Sequence, residues 1–443
     1  AYFEKVLPQL EREPFASELR LGAGAHVMEL GHLSEEVQAL VIASCLEETW
    51  KHGGRTVVVI PECIGADSLV SLEDGLVRRV DSLGPNEVSL LGGKVSRRWS
   101  KHVSTHLLLD CGYQLEVGLN HLQFHVPAGV LRKRRYRGLG KQIEASEVKL
   151  DRAEVLKQGD YLLIPAALPH TTLYNWTPPQ LAFVGMIACD GNVLRTTKNS
   201  AVIRVEVRKD VQWFRDTFRM GLRAFGCEGG FREKETGHGT TFWINSLPLA
   251  DILWGFGLRG GKKAGSLNVP DQVFLSPLPS IAAYIGAAFC CDGNVRGDGF
   301  VRLNSTSRLF LQKVQLLLLK FGIHAYLLGW DPKRPRAARS FELSVYREDI
   351  RKFKEHIPLT MQRKSLALTD NCSVGKRFDR HVELDGQDYV LRSLRRISKV
   401  RGQRALRDIE TATGRFVANG ILTHNSWKFI PQARGNPVKW AAQ

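Results

Sequence analysis

Nothing in these 443 residues approaches the roughly 20 consecutive apolar positions of a membrane span, and the first residues lack the blocks of a secretory leader. No membrane partner is therefore expected, and a cytoplasmic location is. The eight cysteines are Cys45, Cys63, Cys111, Cys189, Cys227, Cys290, Cys291 and Cys372. They form no Cys-x-x-Cys pair and no zinc-finger spacing, which excludes the usual structural zinc sites. Most sit in apolar stretches, where a thiol behaves as a small hydrophobe, and a reducing compartment is expected. No Gly-x-x-x-x-Gly-Lys-Ser/Thr loop is present, which excludes a self-sufficient nucleotide hydrolase of that type. Acidic residues are scarce: 45 Asp and Glu stand against 62 Lys and Arg, a formal net charge of +17. An excess of this size points to a polyanionic partner or to a solvated basic surface.

The length calls for about two to four domains. An apolar content of 43% with 24% charged residues fits globular folds rather than disorder. Residues 1–62 read as α/β, with a strand at 26–30, an amphipathic helix from Ser34 to about Lys51, and an apolar run at 56–62 like that of a buried parallel strand. From Cys63 the pattern changes to short alternating segments broken by turns. Asp74-Gly75 and Asp110-Cys111-Gly112 are hairpin signals, and 105–117 alternates as two strands. The stretch 159–165 closes this β-rich part, and a similar pattern returns at 381–425. Between them, 178–370 carries longer helical periods, and 178–375 holds 28 Lys and Arg against 17 Asp and Glu.

That basic segment repeats itself. Phe183-Val184-Gly185-Met186-Ile187-Ala188-Cys189-Asp190-Gly191-Asn192-Val193 matches Ile285-Gly286-Ala287-Ala288-Phe289-Cys290-Cys291-Asp292-Gly293-Asn294-Val295. Each copy reads as an apolar helix with a small residue, Gly185 or Ala287, five positions before a terminal Asp-Gly. Small residues let two helices approach closely, and the terminal Gly is expected to supply the helix stop. Such packing would bring Asp190 and Asp292 to one end of the pair.

The boundaries of the β-rich part carry the chemistry. Cys63 opens Cys63-Ile64-Gly65-Ala66-Asp67-Ser68-Leu69-Val70 just after the apolar run. Far downstream, Thr423-His424-Asn425-Ser426 sets an Asn, which can cyclise on its own peptide bond, between a His and a hydroxyl nucleophile. A thiol at one boundary and Asn-Ser at the other are what a chain needs to excise everything between them.

On these residues the chain resembles an intein, whose hallmarks are an initial Cys or Ser, a Thr-x-x-His motif, and a terminal His-Asn before Cys, Ser or Thr. The middle motif here is Gly118-Leu119-Asn120-His121, with Gly118 where the family has Thr. The resemblance covers 63–425 and implies roles for each residue. Cys63 attacks the Glu62 carbonyl, His121 assists that step, and Ser426 takes up the acyl group. Asn425 then cyclises with help from His424. Asp408 matches a family acid that couples the steps. A Hedgehog-type autoprocessing domain fits less well, since it needs neither the terminal Asn nor a following nucleophile. His125 reads as structural.

The repeated helices resemble the two motifs of a LAGLIDADG homing endonuclease. The resemblance implies catalytic acids at Asp190 and Asp292 that hold Mg²⁺ as metal ligands, and assisting lysines at Lys262 or Lys263 and at Lys364. The expected partner is double-stranded DNA, cut by a monomer whose insert is itself pseudo-twofold. The basic stretches 204–219 and 302–313 would face the DNA grooves, and the loop at 132–137 could add a contact. Val57 to Glu62 resembles the Walker B strand of a HerA-type, RecA-like ATPase, continued by Trp427-Lys428-Phe429-Ile430-Pro431.

The expected architecture is thus α+β and multidomain. An all-β, horseshoe-like splicing domain (63–175 and 376–425) is interrupted by a pseudo-twofold αββαββα endonuclease domain (176–375). Short α/β flanks, 1–62 and 426–443, are the host segments.

Overall fold

The computed structural model describes residues 58–60, 64–83, 94–118, 121–136, 142–237, 239–261, 264–296, 300–330, 339–345, 349–368, 380–411, 413–424 and 427–429. The chain separates into two compact units, Ala1–Pro61 with Ser426–Gln443, and Glu62–Asn425. In the first, Val58–Ile60 pairs antiparallel with Trp427–Phe429, Ile60 standing opposite Trp427. The strand expected to lie in a parallel arrangement is therefore antiparallel in its described pairing. A short continuous apolar run marks a buried strand but does not fix the direction of its partner. The expected strand at 26–30 and helix to Lys51 lie outside the described residues.

The second unit begins with β structure because its sequence alternates and is punctuated by glycine turns. Gly75 and Gly112, at the two hairpin signals, have φ of 82° and 83°, a region that favours glycine. A nine-stranded sheet runs in the order Ile64–Gly65, Gln114–Gly118, Lys94–Leu109, Gln387–Glu410, Tyr161–Pro165, Leu122–Val126, Lys149–Arg152, with His381–Leu384 and Gln142–Ile143 attached beside this path. Its spine is the pairing of the 24-residue strand Gln387–Glu410 with the 16-residue strand Lys94–Leu109. Register shifts at three places along that pair bend the sheet. A four-stranded sheet, Ile421–His424, Arg415–Ala418, Leu69–Ser71, Val77–Arg79, unites the two ends of the unit.

The chain leaves this β part after Pro165 and returns to it at His381. The intervening insert has two halves of the same build. The first is helix Pro178–Cys189, strands Gly191–Thr197 and Ser200–Val207, helix Val211–Ala224, strands Arg232–Thr236 and Gly239–Asn245, and helix Leu247–Gly255. The second is helix Leu278–Asp292, strands Gly293–Arg296 and Phe300–Ser305, helix Arg308–Leu319, strands Tyr326–Trp330 and Ser340–Val345, and helix Asp349–His356. In both four-stranded sheets the fourth strand lies between the second and the third. The cross-strand pair Asn192–Arg204 of the first recurs as Asn294–Arg302 in the second.

The first repeated helix starts at a capping box, Thr177 with Gln180, and a proline in its first turn. Its face meets the second repeated helix at Gly185, where an added Cβ would lie 2.8 Å from Tyr284 O and 3.2 Å from the Ala287 Cβ. Gly185→Val should therefore push the helices apart and cost about 1–3 kcal/mol, as overpacking does. Urea unfolding reads this, and an unchanged midpoint would contradict the close approach.

The terminal glycines do something other than stop the helices by a left-handed turn. Gly293 is extended, with φ −84° and ψ 157°, and both Gly191 and Gly293 open strands. They are glycines because a Cβ would lie 2.6 Å from the Ile187 Cα in one copy and 2.3 Å from Phe289 O in the other. The segment at 132–137 is not a loop throughout, since Ala128–Tyr136 is helical.

The apolar core is continuous from the β part into the insert, joining residues such as Leu69, Tyr113 and Phe416 with Phe274, Leu316 and Phe353. Polar ties follow the same seam. Gln315 Nε2 donates to Cys111 O at 3.3 Å, and Lys320 Nζ donates to Gly75 O at 2.8 Å and to Pro169 O at 3.1 Å. Burial pulls the Lys320 ammonium down to about 8. Lys313, expected at a DNA groove, is buried instead and donates to Val269 O beside Asp271. Its helix, Arg308–Leu319, packs with the core, and the long side chain finds a carbonyl there.

Candidate active sites

The first site gathers chain segments that are far apart in sequence. Ile64, the residue after Cys63, pairs with both Val117 and Arg407. Val117 leads to Gly118, whose carbonyl accepts the His121 backbone N–H at 3.1 Å. Arg407 leads to Asp408, which is described by its backbone alone, opposite Arg97. The strand Ile421–His424 arrives from the other end of the unit. Its entry is an Asn-Gly turn, with φ of 48° at Asn419 and 77° at Gly420, a pairing that suits a two-residue hairpin. Asn419 locks this hairpin down: Oδ1 accepts Leu69 N–H at 2.6 Å and Nδ2 donates to Gln114 O at 2.9 Å.

His121 is fully buried, and its Nε2 is bonded to Thr423 Oγ1. Thr423 Oγ1 donates to Gln123 Oε1 at 3.0 Å, and Gln123 Nε2 donates to Leu422 O at 2.6 Å. His424 lies against Phe124, with ring centroids 5.9 Å apart and planes tilted by 49°. The two histidines thus stand on adjoining segments with Thr423 between them. His125 has a different surround: Nε2 bonds Asp151 at 2.8 Å, while Asp160, which accepts Ala128 N–H, lies 3.8 Å from Nδ1. Cys63, Asn425 and Ser426 lie outside the described residues.

Thr423 and Gln123 were missed by sequence reasoning. A Thr beside the terminal His and a Gln two residues after His121 were the only signals, and neither is distinctive alone.

The second site lies at the ends of the paired helices. Asp190 caps Pro178–Cys189, and Asp292 is the last residue of Leu278–Asp292. Both are exposed. The preceding residues, Cys189 and Cys291, hydrogen-bond thiol to thiol. The Cys291 thiol is pushed well above its usual range, chiefly by burial, with Cys189, Asp190 and Asp292 adding to the shift. One thiol feeling both carboxylates is what two adjoining helix ends would produce.

Lys364 sits beneath this end. Its buried Nζ donates to Phe289 O at 3.0 Å, and to Cys290 O and Cys291 O, the last carbonyls of the second helix. A cation there complements the negative end of the helix dipole. Burial lowers its pKa. Lys364→Met would strip the helix end of this donor and should cost about 1–3 kcal/mol. Chemical unfolding reads the loss, and an unmoved midpoint would contradict it. Lys262 and Lys263 lie outside the described residues.

No group of three or more potential metal ligands occurs among the described residues. Two exposed carboxylates still fit Mg²⁺, which is commonly bound by one or two carboxylates together with substrate phosphates and retained water.

Residues 279–358, in the second half of the insert, match the model of the LAGLIDADG-like domain family. Among curated proteins, a DNA polymerase of Thermococcus hydrothermalis is 29% identical over 191 residues, covering 41% of this chain and 11% of that protein. The replicative DNA helicase DnaB of Rhodothermus marinus is 24% identical over 349 residues, covering 69% of this chain and 33% of the helicase. The chain therefore spans a small part of these relatives. A solved structure of I-DmoI in complex with DNA and Mn is 14% identical and covers 41% of this chain and 97% of its own, with a TM-score of 0.33.

Proposed function

We propose that residues 63–425 are an intein that excises itself and joins Glu62 to Ser426, and that its insert is a homing endonuclease that cuts duplex DNA. The observation that carries the splicing reading is that segments from both ends of the unit meet: His121 Nε2 is bonded to Thr423 Oγ1, beside His424, and Ile64 pairs with Val117 on the strand that precedes His121. The division of the chain into compact units between residues 61 and 62 and between 425 and 426 supports it. So does the span of the relatives. A polymerase and a helicase, each matched over a minor part of its length, are what a segment inserted into unrelated hosts would give.

The chemistry follows from the residues. Cys63 Sγ attacks the Glu62 carbonyl, and the peptide C–N bond gives way to a thioester. A free thiol has a pKa of about 8.5, so His121 serves as the base and then protonates the departing amide nitrogen. Ser426 Oγ attacks the thioester, forms an ester, and releases the Cys63 thiolate. The Asn425 side-chain amide nitrogen attacks its own main-chain carbonyl, closing a succinimide and freeing the Ser426 amine, with His424 moving the proton. That amine takes the acyl group from Oγ and completes the Glu62–Ser426 peptide. Holding the reactants within one chain contributes up to roughly 7–11 kcal/mol in well-oriented cases. Coupling of the steps falls to Asp408.

In the insert we read a pseudo-twofold endonuclease within a horseshoe-like splicing domain. Asp190 and Asp292 would hold Mg²⁺ between the two halves, with Lys263 and Lys364 in supporting roles. Bound there, the ion supplies an activated water and neutralises the leaving oxygen. Lys364 holds the helix end on which Asp292 rides. Exposed Arg204, on the sheet after Asp190, and the half-buried Arg302 at the matching position are suited to phosphate and base contacts. The flanks are read as a HerA-type ATPase fragment, on the resemblance of the strand leading to Glu62.

A tryptic digest of the incubated protein tests ligation directly. Splicing gives a ten-residue peptide, residues 56–62 joined to 426–428. Its absence after long incubation with reductant at neutral pH would contradict the proposal.

A further inference from the structure

The hydrogen bonds around His121 have a direction. Gln123 Nε2 lies 2.6 Å from Leu422 O and 3.3 Å from Phe124 O, both backbone carbonyls. Only an NH₂ group can face two such acceptors, so the orientation of this amide is fixed and Oε1 points to Thr423. Thr423 Oγ1 then gives its one proton to Gln123 Oε1 at 3.0 Å. The oxygen that remains can only accept from His121 Nε2. Neutral His121 therefore carries its proton on Nε2 and its lone pair on Nδ1.

We infer that Gln123 and Thr423 are positioning residues that fix the His121 tautomer and tie this imidazole to the strand bearing His424 and Asn425; the inference rests on the splicing reading. The proton leaving the Cys63 thiol arrives at Nδ1, and the same Nδ1 later delivers it to the departing amide nitrogen. Nε2–H is kept throughout, and its bond to Thr423 strengthens while the ring is cationic. The pair thus supplies from the far end of the unit a hydroxyl contact that Gly118, lacking a side chain, does not. All three side chains are fully buried, so no water competes for these bonds. The partners lie 302 and 300 residues apart in sequence, which links the two ends of the excised segment through one hydroxyl.

Two measurements test this on the full chain. In a Cys63→Ala/Asn425→Ala chain with ¹⁵N-labelled histidine, NMR should find neutral His121 protonated at Nε2. Thr423→Val should raise the share of the Nδ1–H tautomer, and Thr423→Ser should restore Nε2–H. In the Asn425→Ala chain, hydroxylamine cleavage at Cys63 should fall about tenfold or more in Thr423→Val, with a shifted pH profile, and return to within about threefold in Thr423→Ser. Asn425-dependent cleavage in the Cys63→Ala chain should change far less. A wild-type His121 protonated at Nδ1, or equal cleavage by the Val and Ser variants, would overturn the inference. The expected tautomers without any thioester would instead overturn the splicing reading, and with it the catalytic meaning of the pair.

Discussion

With Asn425 replaced by Ala, residues 426–443 stay attached while a thioester still forms at Cys63 and is cut by hydroxylamine. Alanine has no side-chain amide to attack the main chain, so succinimide closure is abolished rather than slowed. The first step needs only Cys63 Sγ, the Glu62 carbonyl and the His121 base, and it survives. Cys63→Ala gives the complementary result: ligation and N-terminal cleavage disappear, and some Asn425-dependent release of 426–443 remains. Gel analysis with and without hydroxylamine separates these outcomes. Ligated product from either variant would show that the nucleophiles are assigned to the wrong residues.

Loss of either acid of the insert is the second large effect. Asp190→Asn and Asp292→Asn should each lower cleavage of a plasmid carrying the uninterrupted junction by about 10²–10³-fold or more, the scale of removing one electrostatic stabiliser from a reacting centre. The expected target spans the Glu62/Ser426 junction of a gene without the insert, because a homing enzyme must spare the occupied copy. Binding should survive, since replacing a carboxylate also removes its repulsion with phosphate, and it should weaken as salt rises. The reaction should require Mg²⁺. Binding without cutting in the unmodified protein would reduce the insert to a DNA-binding element, and no binding at all would leave the positive charge of 178–375 as a solvated surface.

The expectations for Cys63, Asn425 and Ser426 rest on a Cys after a composition break and an Asn between His and Ser, and these residues lie outside the described structure. Local turns were legible because a turn is written in a few neighbouring residues, as at Gly75 and Gly112, where positive φ selects the residue. Asp190-Gly191 and Asp292-Gly293 mark the correct helix ends but not their geometry. Glycine is demanded at Gly293 by a carbonyl 2.3 Å from the missing Cβ, and that distance exists only after the strand has turned back on the helix. Charge was the least legible property. The basic stretch 302–313 read as facing a DNA groove, yet Lys313 ends on a backbone carbonyl in the interior. The Gln123–Thr423–His121 chain was hidden for a related reason. Its members are ordinary polar residues until strands from opposite ends of the sequence bring them into contact.

Intact-mass measurement on the full chain over time tests the central claim most directly. The account predicts that the 443-residue mass gives way to two others: an 80-residue product of residues 1–62 and 426–443, and a 363-residue piece, 63–425, ending in succinimide or Asn. Full-length chain that persists under reducing conditions at neutral pH, with neither product, would contradict it.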